Sequence, residues 1–83
     1  VHIGHDCVIG DHIILVNNAS LAGHVVIDDW AFLSGYTLVH QWVNVGAHAF
    51  VGAAAYLNQD VPAYVMAAGH PAEPRTINKV GLE

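Results

Sequence analysis

The 83-residue sequence has little positive charge: two Lys and Arg residues stand against seven Asp and Glu, a formal net charge of −5. Both basic residues, Arg75 and Lys79, follow Pro71, so the first 70 positions contain five Asp and no Lys or Arg. Binding to a nucleic-acid backbone needs clustered cations that neutralise phosphates. We therefore expect no nucleic-acid partner.

Cysteine and long apolar runs are also scarce. The single cysteine, Cys7, excludes an intrachain disulfide framework, as is usual in a reducing cytoplasm. No apolar run approaches the roughly 18 residues needed to cross a bilayer, and no basic-then-apolar signal segment opens the chain. We expect a cytoplasmic protein with no membrane span.

A strict six-residue repeat is the strongest pattern in the sequence. Every sixth residue from Ile3 to Leu57 is Ile, Leu or Val, ten times without a failure, and the residue four places later is usually small or β-branched. Neither the 3.6-residue period of a helix nor the two-residue period of a simple strand produces this pattern. A parallel β-helix of hexapeptide repeats does, because each hexad forms one wall and one corner, and three hexads close a triangular coil.

The repeat predicts an all-β chain of about three coils over residues 1–62. Pro62, Pro71 and Pro74 then interrupt it, so residues 63–83 are expected to leave the coil as a loop or irregular exit segment. Because coils bury their aliphatic side chains on one another, an isolated stack this short is marginally stable, and a longer chain or an oligomer is expected.

Coils of 18 residues place side chains 18 positions apart in vertical columns, separated by about 4.8 Å. One corner then gathers four histidines, one carboxylate and one amide. Its members are His2, His5, Asp6, Gly23, His24, His40 and Gln41. Another corner holds a separate column of His12, Trp30 and His48.

The histidine corner has three interpretations. Exposed corner residues are often polar without further purpose, and that explanation suffices for any single histidine. Several histidines beside Asp6 are also what a general-base site requires, since imidazole titrates near neutral pH. A zinc site formed by His2, His5 and His24 is a third interpretation, although zinc-finger and HExxH spacings are absent. Cys7 occupies an inward position, which favours a buried thiol over a nucleophile.

Several segments resemble one acyltransferase family, acyl-ACP:UDP-N-acetylglucosamine O-acyltransferase. The combination of HIGHD, NNASLAGH and VHQ is much more specific than the hexad pattern, and the likeness extends over essentially the whole chain. The segments are VHIGHDC at 1–7, NNASLAGH at 17–24, GYTLVHQ at 35–41, VGAH at 45–48 and QDVP at 59–62.

This resemblance implies a left-handed β-helix assembled as a homotrimer, with residues 63–83 leading toward a helical C-terminal domain. The implied reaction transfers an (R)-3-hydroxyacyl group from acyl carrier protein to the 3-hydroxyl of UDP-N-acetylglucosamine, the first step of lipid A synthesis. His5 would be the general base and Asp6 would orient it. The N–H of Gly23 would bind the oxyanion. The family uses no cofactor and no metal.

The resemblance also implies substrate contacts. His2, His24, His40 and Gln41 match positions that contact the sugar nucleotide or the acyl donor, and Asn78 matches a nucleotide contact. Ala53 matches a position that limits acyl-chain length. The sequence departs from the family pattern at His70–Pro71 and at Val80, and the acyl-chain length preference does not follow from Ala53 alone.

Three alternatives remain open at this stage. Another hexapeptide acyltransferase would transfer an acyl group to the amine of a UDP-glucosamine derivative. A hexapeptide carbonic anhydrase would use the histidines as zinc ligands between subunits. A trimeric fragment with incomplete sites would have no activity by itself.

Overall fold

A computed structural model describes residues 1–69 and 71–77, which form twelve short strands joined by turns. Ten of the strands are two residues long and recur every six residues. The strands are β1 (His2–Ile3), β2 (Val8–Ile9), β3 (Ile14–Leu15), β4 (Ser20–Leu21), β5 (Val26–Ile27), β6 (Phe32–Leu33), β7 (Leu38–Val39), β8 (Asn44–Val45), β9 (Phe50–Val51), β10 (Tyr56–Leu57), β11 (Val65–Gly69) and β12 (Ala72–Ile77). No helix in the described ranges is long and apolar enough to span a membrane.

Strands β1 to β11 form three parallel sheets, which are the three walls of the coils, and β12 joins the third sheet as an antiparallel strand. The first sheet has the order β1-β4-β7-β10, the second has β2-β5-β8, and the third has β3-β6-β9 extended by β11 and β12. Residues 18 apart are paired, as in His2 with Ser20 and Val26 with Asn44. The left-handed β-helix expected from the sequence is confirmed.

The core lies along the axis of the coils. The inward aliphatic residues from Leu21 to Leu57 are at most 1% exposed, and most of the small residues that follow each of them are equally buried. Ile3, at the start of the given sequence, is 48% exposed. Cys7 is half-buried beside the core, and its Sγ donates to the carbonyl of Ala22 at 3.1 Å.

Ten of the corner turns pass through a residue in the left-handed region of backbone space. The second turn residue has a positive φ at ten positions, which run from Asp6 at 59° to Tyr64 at 63°. Asp, Asn and His adopt this conformation more readily than other side chains. We name the corners by their turn residues: the first corner is 5–6, 23–24 and 41–42; the second is 11–12, 29–30 and 47–48; the third is 17–18, 35–36 and 53–54.

The last coil is shorter than the repeat predicts. Val61 pairs with Val45 and Met66 with Phe50, an offset of 16 residues instead of 18. Val61 therefore takes the inward place above Val45, whereas the hexad count had assigned it to the following small position.

The exit segment also differs from the expected loop. Val65–Gly69 continues the third sheet, and Ala72–Ile77 pairs with it as an antiparallel strand. Pro71 lies in the turn between them. Pro74 is tolerated in β12 because this is an edge strand, where one side of the backbone needs no ladder partner.

Candidate active site

The first corner brings three ionisable side chains together. The Nδ1 atom of His5 lies 3.1 Å from Oδ2 of Asp6, and Nε2 of His24 lies 3.8 Å from the same oxygen. The rings of His5 and His24 meet edge to face, with centroids 5.0 Å apart. His5 and Asp6 are largely exposed, so a substrate approaching this corner can reach both.

The coil geometry creates this cluster from residues distant in sequence. The backbone N–H of His24 donates to the carbonyl of His5 at 2.9 Å, and this bond joins the two coils at the corner. Asp6 and His24 both occupy the positive-φ turn position, at 59° and 60°. Their side chains therefore leave the backbone in equivalent directions, one coil apart.

Trp42 fixes the orientation of His24. The two rings are stacked, with centroids 4.0 Å apart and an interplanar angle of 2°. Trp42 lies 18 residues after His24, so the 18-residue column predicts that the two are neighbours, and the stacked rings confirm it.

Gly23 makes room for the ring of His5. A Cβ atom added at Gly23 would lie 2.8 Å from both Cε1 and Nε2 of His5, closer than real Cβ contacts. The backbone bonds between the described residues do not use the Gly23 N–H as a donor. The missing side chain thus lets the imidazole lie against a turn whose Gly23 N–H makes none of these backbone bonds.

The hydrogen bond to Asp6 selects one tautomer of neutral His5. An ionised carboxylate can only accept, so Nδ1 of His5 carries the hydrogen and donates it to Asp6. Nε2 is then unprotonated and holds the lone pair, on the side of the ring that faces Gly23. This arrangement of carboxylate, imidazole and free lone pair is suited to general-base chemistry.

The other predicted site residues lie outside this cluster, at positions that differ from one residue to the next. His2 is exposed on β1, three residues before His5, and His40 and Gln41 are exposed where the next coil enters the corner. His40 Nδ1 contacts the carbonyl of Gln41 at 3.2 Å, and its ring meets the edge of Tyr56. Ala53 is exposed at the third corner. Asn78 lies outside the described residues.

One group of side chains in the described part of the chain has the composition and spacing of a metal site. It consists of His5, Asp6 and His24, which each offer a ligand atom within 4.8 Å of the others. The trio that the sequence had suggested contained His2 in place of Asp6. His2 is not part of the observed group.

The second corner contains the predicted column and one further ring. His12 stacks on Trp30 with centroids 4.1 Å apart, and Trp30 and His48 follow at 6.1 Å. Tyr64 stacks on His48 at 4.9 Å. The shortened last coil places Tyr64 above His48 at an offset of 16, which is why the 18-residue count did not include it.

Comparisons with known proteins agree with the fold and with the sequence resemblance. The family described as Udp N-acetylglucosamine O-acyltransferase, domain 2, matches residues 60–83. The acyl-[acyl-carrier-protein]–UDP-N-acetylglucosamine O-acyltransferase of Burkholderia lata is 56% identical over 82 residues, which are 99% of this chain and 31% of that protein. The chain thus spans about a third of this relative's length.

Two solved structures separate the family from a neighbouring one. The UDP-N-acetylglucosamine acyltransferase of Arabidopsis superimposes with a TM-score of 0.91 and 49% identity, over 94% of this chain and 27% of that one. A perosamine N-acetyltransferase of Caulobacter crescentus gives 0.84 and 36%, over 87% and 34%.

The coil fold and its histidine corner define a left-handed β-helix of the hexapeptide acyltransferase class. Within that class, the higher identity and the longer alignment decide between the two families. Along nearly its whole length, the chain is similar to a segment of proteins named as UDP-N-acetylglucosamine O-acyltransferases.

Proposed function

We propose that the protein containing this chain transfers an (R)-3-hydroxyacyl group from acyl carrier protein to the 3-hydroxyl of UDP-N-acetylglucosamine, the first step of lipid A biosynthesis. The Burkholderia relative is named for acyl transfer from acyl carrier protein to UDP-N-acetylglucosamine. The observation that carries the proposal is the His5–Asp6 pair beside Gly23.

In the proposed reaction, Nε2 of His5 removes the proton of the sugar hydroxyl while the oxygen attacks the thioester carbonyl. A carbon–oxygen bond forms, and the carbonyl oxygen becomes an oxyanion. The intermediate collapses with loss of the carrier protein's thiolate, which takes the proton back from His5. The hydroxyl attacks directly, so no covalent enzyme intermediate is required.

Asp6 and Gly23 support this step in different ways. Asp6 holds the tautomer of His5 that leaves Nε2 free, and it stabilises the imidazolium that forms during proton transfer. The N–H of Gly23 is proposed to bind the oxyanion, since backbone donors placed at developing charge lower the barrier.

The remaining predicted residues are proposed to bind substrate. His2, His24, His40 and Gln41 border the first corner and offer ring nitrogens and an amide to the sugar nucleotide and the acyl donor. Asn78 is proposed as a nucleotide contact. Ala53, exposed at the third corner, is proposed to help limit acyl-chain length.

The assembly and domain organisation are proposals of the same kind. The match of the family's second domain to residues 60–83 supports the expected boundary near residue 62, between the coils of residues 1–62 and a segment 63–83 leading toward helices. Strand pairing of the third sheet continues past this boundary to β11. We propose a cytoplasmic homotrimer with sites between subunits. The described coils carry no Lys or Arg before Arg75, so the cations that attract an acidic carrier protein must lie elsewhere in the protein.

The test is an assay of the longest natural chain that contains these residues. UDP-N-acetylglucosamine-dependent release of carrier-protein thiol from 3-hydroxyacyl carrier protein should fall about 10²–10⁴-fold in His5→Ala, the usual contribution of a general base. His12→Asn is the control, because His12 lies at the second corner, and it should retain full turnover. Unchanged turnover in His5→Ala would contradict the assignment of the base.

Acyl transfer to an amine is the second candidate, since the perosamine N-acetyltransferase shares this coil fold at 36% identity. The same assay separates the two reactions when UDP-N-acetylglucosamine is replaced by a UDP-sugar with a free amine. Turnover with the amine alone would replace the O-acyl proposal. A folded trimer inactive with both acceptors would favour a chain with incomplete sites.

A further inference from the structure

The first corner has the composition of a transition-metal site as well as that of a general-base site. Two imidazole nitrogens and one carboxylate oxygen, from His5, His24 and Asp6, lie within 4.8 Å of one another. Imidazole and carboxylate are the ligands with which proteins bind zinc through three side chains, leaving a fourth position to water or substrate.

Two of the three distances between the ligand atoms are close to those around zinc. A tetrahedral ion with bonds of about 2.0–2.2 Å separates its ligand atoms by about 3.3–3.6 Å. The two contacts made by Oδ2 of Asp6 are 3.1 Å to His5 and 3.8 Å to His24, one just below and one just above that range. The side chains of His5 and Asp6 are 74% and 70% exposed, so both can adjust without disturbing the core.

The surroundings favour a cation at this corner. Stacking on Trp42 holds the ring of His24 in one plane, which reduces the entropy lost when Nε2 binds an ion. The first 70 residues supply five Asp and no Lys or Arg, so no fixed positive charge of these coils opposes the ion.

We propose that His5, Asp6 and His24 bind zinc, and that the bound ion and the acyl-transfer reaction exclude each other. The second half of the proposal rests on the proposed function. An ion on Nε2 of His5 occupies the lone pair that accepts the hydroxyl proton. An ion on Nδ1 replaces the hydrogen bond to Asp6. In either case His5 no longer acts as a base, so zinc is an inhibitor of this site and not its cofactor.

The chain offers a closely matched control for the ligand His24. His12 occupies the same turn position at the second corner, with φ of 59° against 60°. Its ring also stacks on a tryptophan one coil above. The ring centroids of His12 and Trp30 are 4.1 Å apart, and those of His24 and Trp42 are 4.0 Å apart. Asn tolerates this backbone conformation, so His24→Asn and His12→Asn lose equivalent packing and differ in whether they remove a zinc ligand.

The experiment is a calorimetric titration of the longest natural chain with zinc chloride, with the visible spectrum of added cobalt(II) as an independent report of tetrahedral binding. Loss of an outer-shell partner already weakens metal binding about 10–100-fold, so loss of a ligand should cost at least about tenfold. Asp6→Asn and His24→Asn should show this loss, and His12→Asn should bind as the wild type does. Wild-type protein that binds no zinc, or equal binding in all three variants, would overturn the site.

A parallel activity assay separates this proposal from the proposed function. Zinc should inhibit turnover in wild-type protein, and a chelator should restore it. Zinc binding without any acyl transfer would leave the metal site standing and remove the proposed reaction. If the protein binds zinc at this corner and acyl transfer continues at the same rate, the proposal that the ion and the reaction exclude each other is overturned.

Discussion

At the scale of single residues, Gly23 is the most constrained position of the candidate site. The ring of His5 lies so close that a Cβ atom would be 2.8 Å from its Cε1 and Nε2 atoms. We predict that Gly23→Ala displaces the exposed imidazole while the coil remains folded. A displacement of about 1 Å in a reacting group costs on the order of 10²-fold in rate. Turnover should therefore fall by about that factor, with a change in unfolding free energy below about 1 kcal/mol.

Gly35→Ala is the matched control for this substitution. Gly35 holds the same turn position two hexads later, where a Cβ atom would meet the carbonyl oxygen of Asn17 at an ordinary 3.4 Å. The control should retain wild-type turnover and comparable stability. Equal loss of activity in both variants would show that alanine disturbs the turn itself. The loss would then not come from a clash with the ring of His5.

The sequence alone predicted much of this site, because a coil of fixed length converts sequence separation into position. The 18-residue columns placed Gly23 above His5 and His24 above Asp6, and both neighbours are confirmed. The columns give the position of each residue on the coil but not the torsion angles of its side chain. They therefore did not reveal that His5 turns toward Asp6, or that His2 lies apart from the cluster.

At the scale of the structural elements, the corner turn is the unit that repeats, and its second residue has a positive φ whatever its type. Ala54 has φ of 57° and no polar atom that compensates for it. The left-handed conformation costs a residue with a Cβ about 1–2 kcal/mol, whereas the extra freedom of an unfolded glycine costs about 0.4–1 kcal/mol. We predict that Ala54→Gly raises the free energy of unfolding by up to about 1.6 kcal/mol, measured by urea denaturation.

Ala47→Gly provides the comparison, since Ala47 is the first residue of a turn and has no positive φ. There the glycine only adds freedom to the unfolded chain, so stability should fall by about 0.4–1 kcal/mol. Stabilisation by both substitutions, or by neither, would contradict the assignment of strain to the second turn position.

The prediction of elements failed where the hexads ended. The sequence predicted every strand from β1 to β10, because each carries one aliphatic residue that must face the axis. It did not predict the strand pair β11 and β12, since Pro71 and Pro74 suggested a break. Edge pairing tolerates Pro74, and the third sheet supplies a backbone ladder for Val65–Gly69 through Phe50 and Val51. Such pairing depends on tertiary contacts and leaves no period in the sequence.

At the scale of the whole molecule, the three walls present different outer faces. The residues that directly precede the inward core residues point outward, and in β3, β6, β9 and β11 of the third sheet these residues are large and apolar. They are Ile14, Phe32, Phe50 and Met66. The rings of Phe32 and Phe50 stack at 4.9 Å, and Ile14 is 52% exposed. In the second sheet, the outward residue of the last strand, β8, is instead the polar Asn44. An apolar wall of this kind favours contact with a second copy of the chain.

We predict that this wall is the contact of the proposed trimer, and that Phe32→Ser weakens assembly. Burying a phenylalanine side chain contributes about 1.5–3 kcal/mol, and each 1.4 kcal/mol is a factor of ten in an equilibrium constant. Sedimentation equilibrium of the longest natural chain should therefore show at least a tenfold shift toward monomer. Val26→Ser makes the same change from apolar to polar at the central strand of the second sheet, and it should leave the trimer intact. If Val26→Ser dissociates the trimer and Phe32→Ser does not, the second sheet is the contact, and the site at the first corner is bounded by a different neighbour.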